Sequence, residues 1–169
     1  IGIEDWDYLR TESLFPVENR PIFFKPVANL TRNKMETELP KLAAAIQEII
    51  DKYPDDRVLV HTVNSKVRDY LLNSLPQQRL ISHTTNNREE MLETFRLAKA
   101  PLVMISPSFD RGIDLYDDQC RCVIIAKMPY LDLSDKQVKA RMALPGGQRW
   151  YNLRTAQTLV QMSGRAVRS

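Results

Sequence analysis

The alternation of short apolar runs with longer amphipathic segments is the feature that most constrains how this chain can fold. Runs rich in Val, Ile and Leu recur along the sequence, and most are followed by a segment whose apolar residues repeat every three or four positions. The first pattern predicts buried strands and the second predicts helices. Strands that alternate with helices are typical of βαβ units. We therefore predict an α/β fold with a parallel sheet and helices on both faces.

The predicted elements cover most of the chain. A leading segment, 1–20, is irregular and acidic and is expected to pack on the core. The first predicted strand is bounded by Pro21 and Pro26, which favours a place near a sheet edge. Strands are predicted at 21–26, 57–62, 79–82, 102–106 and 122–126, and helices at 35–53, 66–75, 88–100, 137–142 and 155–167.

Composition excludes several classes of protein. Of the 169 residues, 43% are hydrophobic and 27% are charged, as in ordinary globular domains, and the net charge is only +3. No apolar run approaches the roughly 20 residues that a membrane span requires, and the first ten residues contain no signal-peptide core. The two cysteines, Cys120 and Cys122, are too few for a disulfide framework or a four-cysteine metal site and are expected to be reduced strand residues. These features favour a cytoplasmic or nuclear protein without a membrane partner.

Polar loops follow three of the predicted strands. The sequences are His-Thr-Val-Asn-Ser at 61–65, Ser-His-Thr-Thr-Asn at 82–86 and Ser-Pro-Ser-Phe-Asp at 106–110. Ligands of parallel sheets bind at the carboxyl ends of the strands, and hydroxyl and backbone N–H groups there suit phosphates. Ser, Thr and Asn are equally ordinary helix caps. Three such loops at one edge of the sheet therefore allow two interpretations. They either contact a phosphate backbone together, or each only caps the helix that follows it.

Two arginines near the end of the chain point to phosphate chemistry. Arg165 and Arg168 are three residues apart, and Arg165 follows Gly164 and lies four residues after Gln161. Residues three apart share one face of a helix, so two guanidinium groups can reach one phosphate chain. That arrangement suits arginine fingers in phosphoryl transfer. The alternative is a basic helix end that complements the helix dipole.

A second loop contains residues of nucleotide folds, but the phosphate cradle is missing. Gly112 permits close backbone approach, and Asp114 could accept hydrogen bonds from a ribose hydroxyl or serve only as a turn residue. None of the five glycines begins a Gly-x-x-x-x-Gly-Lys-[Ser/Thr] loop, and no acidic pair after a strand resembles a magnesium site. A chain with arginines for a phosphate but no cradle requires a partner that supplies the rest.

These segments resemble the second RecA-like motor domain of superfamily 2 helicases, a P-loop NTPase-like fold that lacks the P-loop. Residues 161–168 resemble motif VI, 110–114 resemble motif V, and 58–65 resemble motif IV. Within the superfamily, the Rad3/XPD and DinG branch is the most similar. That similarity rests on the segments 13–16, 19–21, 127–130, 139–142 and 150–151. One departure is Arg111, where this branch usually has Glu and DEAD-box relatives have Arg.

The resemblance implies a function for each site residue. Arg165 and Arg168 would contact ATP held by a first motor domain of the same protein, with Mg²⁺ bound mainly there. Gln161 and Gly164 would line the cleft, and Gly112 and Asp114 would couple the nucleotide to the DNA side. The expected contacts to the sugar–phosphate backbone of single-stranded DNA come from a third group of residues, Thr62, Ser65, Ser106 and Ser108.

The sequence-level hypothesis is thus the second lobe, 1–169, of an ATP-dependent DNA helicase, a part of a longer protein that is inactive by itself. Two alternatives stay open. Arg111-Gly112 would also suit a DEAD-box-like RNA helicase lobe. A RecA-like domain that only binds nucleic acid or protein, without catalysis, would also lack a phosphate loop. No residue of this chain can ligate the iron–sulfur cluster that many members of the branch carry in the other lobe.

Overall fold

Four parallel strands form the centre of the domain. The computed structural model describes residues 21–99, 101–109 and 113–164, together with residues 7, 9 and 18. The strands are β1 (Val58–His61), β2 (Leu80–Ser82), β3 (Val103–Ser106) and β4 (Cys122–Ile125), in the sheet order β2-β3-β1-β4. The helices are α1 (Met35–Ile50), α2 (Ser65–Ser74), α3 (Arg88–Leu97), α4 (Lys136–Met142) and α5 (Gly147–Ser163).

The two faces of the sheet bury separate apolar clusters. Val58 and Val60 point to the face covered by α1 and α2, whereas Leu59 points to the face covered by α3. Because successive side chains of a strand alternate between faces, an apolar run such as that of β1 requires cover on both sides. Every residue of β1 and β3 is buried. The predicted α/β fold, a parallel sheet with helices on both faces, is confirmed.

The predicted strand at 21–26 is wrong. Residues 21–30 form neither helix nor strand, and Ile22, Phe23 and Phe24 are each more than 80% exposed. Apolar and polar residues do not alternate in this segment, so it has no single apolar face that a sheet could bury. A proline also lacks the N–H group that a neighbouring strand needs. Hydrophobicity alone was therefore a poor indicator of a strand here. Of the leading segment 1–20, only Asp7, Leu9 and Glu18 lie among the described residues.

The last helix begins eight residues earlier than predicted, at Gly147 rather than Thr155. The aromatic pair Trp150-Tyr151 is therefore inside α5. Gly146 has φ +79°, and a Cβ on Gly147 would lie 2.4 Å from the carbonyl oxygen of Met142. Both glycines are required by the tight connection that follows α4. The Pro145-Gly146-Gly147 sequence is thus a helix start, in a stretch for which no helix or strand was predicted. The other predicted elements lie within three residues of the observed bounds.

Core packing predicts that two nearby side chains of α3 differ greatly in their contribution to the free energy of unfolding. Phe95 is 1% exposed, whereas Leu97 is 71% exposed. We expect Phe95→Ala to lower the free energy of unfolding by about 3–5 kcal/mol, since it removes buried surface and leaves a cavity. The matched control Leu97→Ala should change it by about 0.5 kcal/mol or less. Urea unfolding monitored by circular dichroism measures both, and similar losses would show that Phe95 is not a core residue.

Burial also predicts that both cysteines are unreactive. Cys120 and Cys122 are free thiols, and burial raises the pKa of Cys120 to about 12 and that of Cys122 to about 11. Thiolates are the reactive form, so we expect slow labelling by a disulfide reagent at mildly alkaline pH and fast labelling after denaturation. Equal labelling rates in the folded and denatured protein would contradict this packing.

Candidate functional site

The ends of three neighbouring strands bring the predicted polar loops together. In register, His61 of β1 lies beside Ser106 of β3, and Ser82 of β2 lies beside Ile105. The backbone N–H of Thr62 donates to the carbonyl oxygen of Ser106 at 2.9 Å. The loops 62–64, 83–87 and 107–109 therefore leave the sheet at one edge, which we call the polar edge. Parallel pairing is what places them there, because it sends all the carboxyl ends in the same direction.

The loop after β1 is held in an unusual backbone conformation. Val63 has φ +66°, a region that a β-branched residue adopts at a cost of about 1–3 kcal/mol. Thr62 is buried, and its hydroxyl donates to the carbonyl oxygen of Asn64 at 3.1 Å. Asn64 caps α2, since its side-chain oxygen accepts a hydrogen bond from the N–H of Val67 at 2.9 Å. Ser65, the first residue of α2, is exposed at this end of the helix.

Ser106 is the centre of the hydrogen bonds in the loop after β3. Its side chain is buried, and its Oγ accepts from the N–H groups of Ser108 at 3.2 Å and Phe109 at 3.1 Å. The same oxygen lies 2.7 Å from Nε2 of His83. Ser108 is exposed, so the loop presents this serine outwards while Phe109 is buried beneath it. The hydroxyls of Thr62 and Ser106, predicted to contact a nucleic-acid strand, are in this conformation bonded within the protein.

His83, from the loop after β2, joins these two loops of the polar edge. Its ring stacks on Phe109 with centroids 4.4 Å apart and an interplanar angle of 17°. Burial lowers the pKa of His83, and the nearby positive charges of Arg88 and Arg68 lower it further. A histidine with a lowered pKa is neutral at physiological pH. The sequence analysis included His83 in a polar loop but did not assign it a function.

Two arginines at the polar edge were also missed. Arg68 in the first turn of α2 donates to the carbonyl oxygen of His83 at 3.3 Å. Arg88, the first residue of α3, places its guanidinium 4.8 Å from the centroid of the Phe109 ring. Each forms an ion pair with the acidic residue that follows it, Asp69 or Glu89. The available signal was their position in the first turn of a helix that follows a strand.

The residues predicted to bind the nucleotide are only partly described. Asp114 is half-buried, and its carboxylate accepts a hydrogen bond from the hydroxyl of Tyr116 at 2.6 Å. Gln161 is exposed in the last turn of α5, and Gly164 directly follows the helix, where an added Cβ would meet no atom of the described residues beyond its chain neighbours within 4 Å. Three further predicted residues, Gly112, Arg165 and Arg168, lie outside the described residues, and their assignments stay predictions.

A basic surface segment with aromatic contacts lies between β4 and the middle of α5. Residues 127–154 contain six basic and two acidic residues, so this segment has a formal charge of +4 while the whole chain has +3. The Arg141 guanidinium lies 5.6 Å from the Trp150 ring centroid, and Tyr130 stacks on Tyr151 at 5.7 Å. The hydroxyl of Tyr151 donates to the carbonyl oxygen of Leu131 at 2.9 Å. The low net charge of the chain concealed this local excess.

Metal ligands and membrane spans are absent from the part of the chain that the structure describes. No group of three or more His, Cys, Asp or Glu side chains there is arranged to hold a metal ion. No described helix is long and apolar enough to cross a membrane.

Comparison with known proteins relates this geometry to a family. The model of the helicase C-terminal domain matches residues 46–169. The chain is 26% identical over 176 aligned positions to the ATP-dependent DNA helicase YoaA of Escherichia coli (strain K12), an alignment that covers 99% of this chain and 28% of YoaA. The structure of S. tokodaii Xpd4 superposes with a TM-score of 0.51 at 17% identity, over 80% of this chain and 28% of that one.

The relatives define how far the assignment extends. The chain spans about 28% of the length of YoaA and of Xpd4. At 17% identity, the likeness to Xpd4 concerns the fold alone, and that fold agrees with the four-stranded parallel sheet. Both relatives are consistent with the resemblance to the Rad3/XPD and DinG branch. Since the family model covers well over half of the sequence, this chain belongs to the helicase C-terminal domain family, as its motifs predicted.

Proposed function

We propose that this chain is the second motor lobe of an ATP-dependent DNA helicase, which grips single-stranded DNA at the polar edge. The observation that supports this most is the meeting of three polar loops at the carboxyl ends of β1, β2 and β3 in a helicase C-terminal domain. Ligands of parallel sheets bind at this edge. A motor that passes along any sequence must hold the sugar–phosphate backbone, because base contacts would stop it.

The exposed serines of the polar edge are suited to such a grip. Ser65 is at the start of α2, where the positive end of the helix dipole favours a phosphate. Ser108 is held outward by the hydrogen bonds to Ser106. In this proposal Ser65 and Ser108 contact the strand, while Thr62 and Ser106 hold the two loops in shape. The basic segment 127–154 supplies a positive surface that favours a polyanion.

The end of α5 is suited to reach a nucleotide held elsewhere. Gln161 and Gly164 are exposed there, and Arg165 and Arg168 follow directly in the sequence. We propose that both arginines stabilise charge on the phosphates of ATP that is bound to a first lobe. Asp114 would lie near the ribose or between the nucleotide and the DNA. Mg²⁺, held by that first lobe, would neutralise charge on the phosphates. None of the described acidic side chains forms a cluster that could hold the ion.

DNA is preferred over RNA as the substrate because YoaA is described as a DNA helicase. The sequence feature that favours RNA, Arg111-Gly112, lies outside the described residues. Unwinding of DNA and RNA duplexes of one sequence by the full-length protein decides between them, and faster RNA unwinding would overturn our choice.

The arginine assignment predicts a selective loss of ATP hydrolysis. In the full-length protein, we expect Arg168→Ala to lower the ATPase rate by about 10³-fold or more, since arginine fingers contribute about 10³ to 10⁵. Binding of single-stranded DNA without nucleotide should change by about twofold or less, because the charge acts at the phosphates of ATP. A coupled ATPase assay and fluorescence anisotropy measure the two properties.

Arg32→Ala is the matched control, since Arg32 is an exposed arginine outside both the polar edge and the basic segment 127–154. We expect it to retain ATPase activity. Turnover by Arg168→Ala at the rate of the unmutated protein would exclude the arginine finger.

The proposed contacts of Ser65 and Ser108 predict a loss of DNA affinity that is smaller than the loss of ATPase activity in Arg168→Ala. This loss should not depend on salt concentration. We expect Ser65→Ala and Ser108→Ala each to weaken binding of an oligothymidylate by about ten- to a hundredfold, the equivalent of one hydrogen bond to a charged group. The slope of log affinity against log salt should stay the same, because no charge is removed. Anisotropy titrations at several salt concentrations give both quantities.

Ser74→Ala is the control, because Ser74 is the exposed last residue of α2, at the opposite end of the helix from Ser65. It should bind like the unmutated protein. If Ser65→Ala and Ser108→Ala bind the oligonucleotide as tightly as Ser74→Ala and the unmutated protein, the polar edge is not the strand-binding surface.

A further inference from the structure

We propose that His83 is a positioning residue which, in its neutral form, fixes the loop after β3 and so presents Ser108 to the nucleic-acid strand. This inference rests on the proposed function, since it concerns the strand-binding surface. His83 is a buried side chain that takes part in neither the proposed strand contacts nor the proposed ATP contacts.

The hydrogen bonds of Ser106 determine the proton state of His83. A serine hydroxyl has two lone pairs and one hydrogen. Two backbone N–H groups, those of Ser108 and Phe109, already donate to the Oγ of Ser106. The hydroxyl hydrogen is therefore directed at Nε2 of His83, 2.7 Å away, and this nitrogen must be an unprotonated acceptor. The proton of the neutral ring is then on Nδ1, which donates to the carbonyl oxygen of Thr84 at 3.1 Å.

Two independent contacts connect the ring to the loop that carries Ser108. One is the hydrogen bond through Ser106, and the other is stacking on Phe109, whose N–H is itself a donor to Ser106. The ring of His83 is 6% exposed, and Phe109 is fully buried. Both contacts act on the four-residue turn 106–109, so the position of Ser108 depends on the ring of His83.

Protonation of His83 would break this arrangement. A hydrogen on Nε2 would face a Ser106 oxygen that already accepts two hydrogen bonds, and the positive ring would be buried near two cations. Those cations are Arg68 of α2 and Arg88 of α3, and their carboxylate partners Asp69 and Glu89 are exposed. Burial lowers the pKa of His83, the hydrogen bond to the carbonyl oxygen of Thr84 raises it by less, and the charges of Arg88 and Arg68 lower it further.

The direction of the pH effect follows from this lowered pKa. A group whose pKa is lower in the folded than in the unfolded protein contributes stability that is fully present above its unfolded pKa, 6.5 for histidine. The contribution falls as the pH drops below that value towards the pKa of the folded state. We therefore expect the loop to loosen, and affinity for a single strand to fall, on acidification.

The test uses binding of a fluorescein-labelled oligothymidylate by the full-length protein, from about pH 8 to about pH 5, the range in which histidine titrates. His83→Phe keeps an aromatic ring but removes the acceptor, and Ser106→Ala removes the donor. We expect His83→Phe to weaken binding at neutral pH by about three- to tenfold, the effect of one hydrogen bond. Ser106→Ala should weaken it by at least as much, since it also removes the acceptor of the Ser108 and Phe109 N–H groups. The double variant should bind no more weakly than Ser106→Ala alone, since that variant has already lost the hydrogen bond to His83.

Two further variants separate positioning from general stability. His83→Gln retains an acceptor, so it should restore neutral-pH binding to within about twofold and lose the acid-dependent step that belongs to histidine. Ser82→Ala is the control, because its hydroxyl donates to the carbonyl oxygen of Ile105 at 2.7 Å on the same edge but outside the network. It should keep both the affinity and the pH profile of the unmutated protein.

The outcomes distinguish this inference from the proposed function. Failure of the unmutated protein to bind the oligonucleotide would overturn the proposed function and this inference with it. Normal binding with no effect of His83→Phe and Ser106→Ala, or with additive effects, would overturn the inference alone. Nitrogen-15 NMR of labelled histidine gives an independent measure, since a neutral ring with its proton on Nδ1 is required. A proton on Nε2 of His83 at neutral pH would also overturn it.

Discussion

The parallel pairing of β1 with β3 is the interaction on which the rest of the structure depends. Both strands are buried completely, and their register places His61 beside Ser106 at the carboxyl end. The apolar residues upstream, such as Val60 on one face and Leu59 on the other, drive the pairing because they leave water on both faces of the sheet. The polar residues at the strand ends are brought together as a consequence, and the backbone bond from Thr62 to Ser106 continues the ladder into the loops.

At this edge, one buried hydroxyl organises what the strands bring together. The Oγ of Ser106 contacts two backbone N–H groups and the ring of His83, which joins the loops after β2 and β3. A buried polar group is stable only with its hydrogen bonds made, so this network has little freedom to rearrange. The positive φ of Val63 indicates similar constraint in the loop after β1. A preformed edge of this kind suits repeated binding and release of a backbone.

The sequence predicted most of the sheet because its strands have short β-branched runs that are separated by helices of regular period. It failed at 21–26, where Ile22 and Phe23 suggested burial that the fold does not provide. It also failed at the start of α5, because Gly146-Gly147 can end a loop or begin a helix, and the choice depends on the carbonyl oxygens of α4. Motif residues such as Ser108 and Gln161 could be proposed from chemistry and spacing without coordinates, and their binding functions stay predictions.

The sequence by itself determined the fold class, the family and the edge of the sheet at which polar residues collect, since periodicity and motif order are properties of a linear chain. Only the tertiary structure decided which of those residues face outwards. Ser108 is exposed while Ser106, two positions earlier, is buried and bonded to His83. The physical reason is that exposure and hydrogen-bond partners are set by segments far apart in the chain, here the loops after β2 and β3, which meet only when the strands pair.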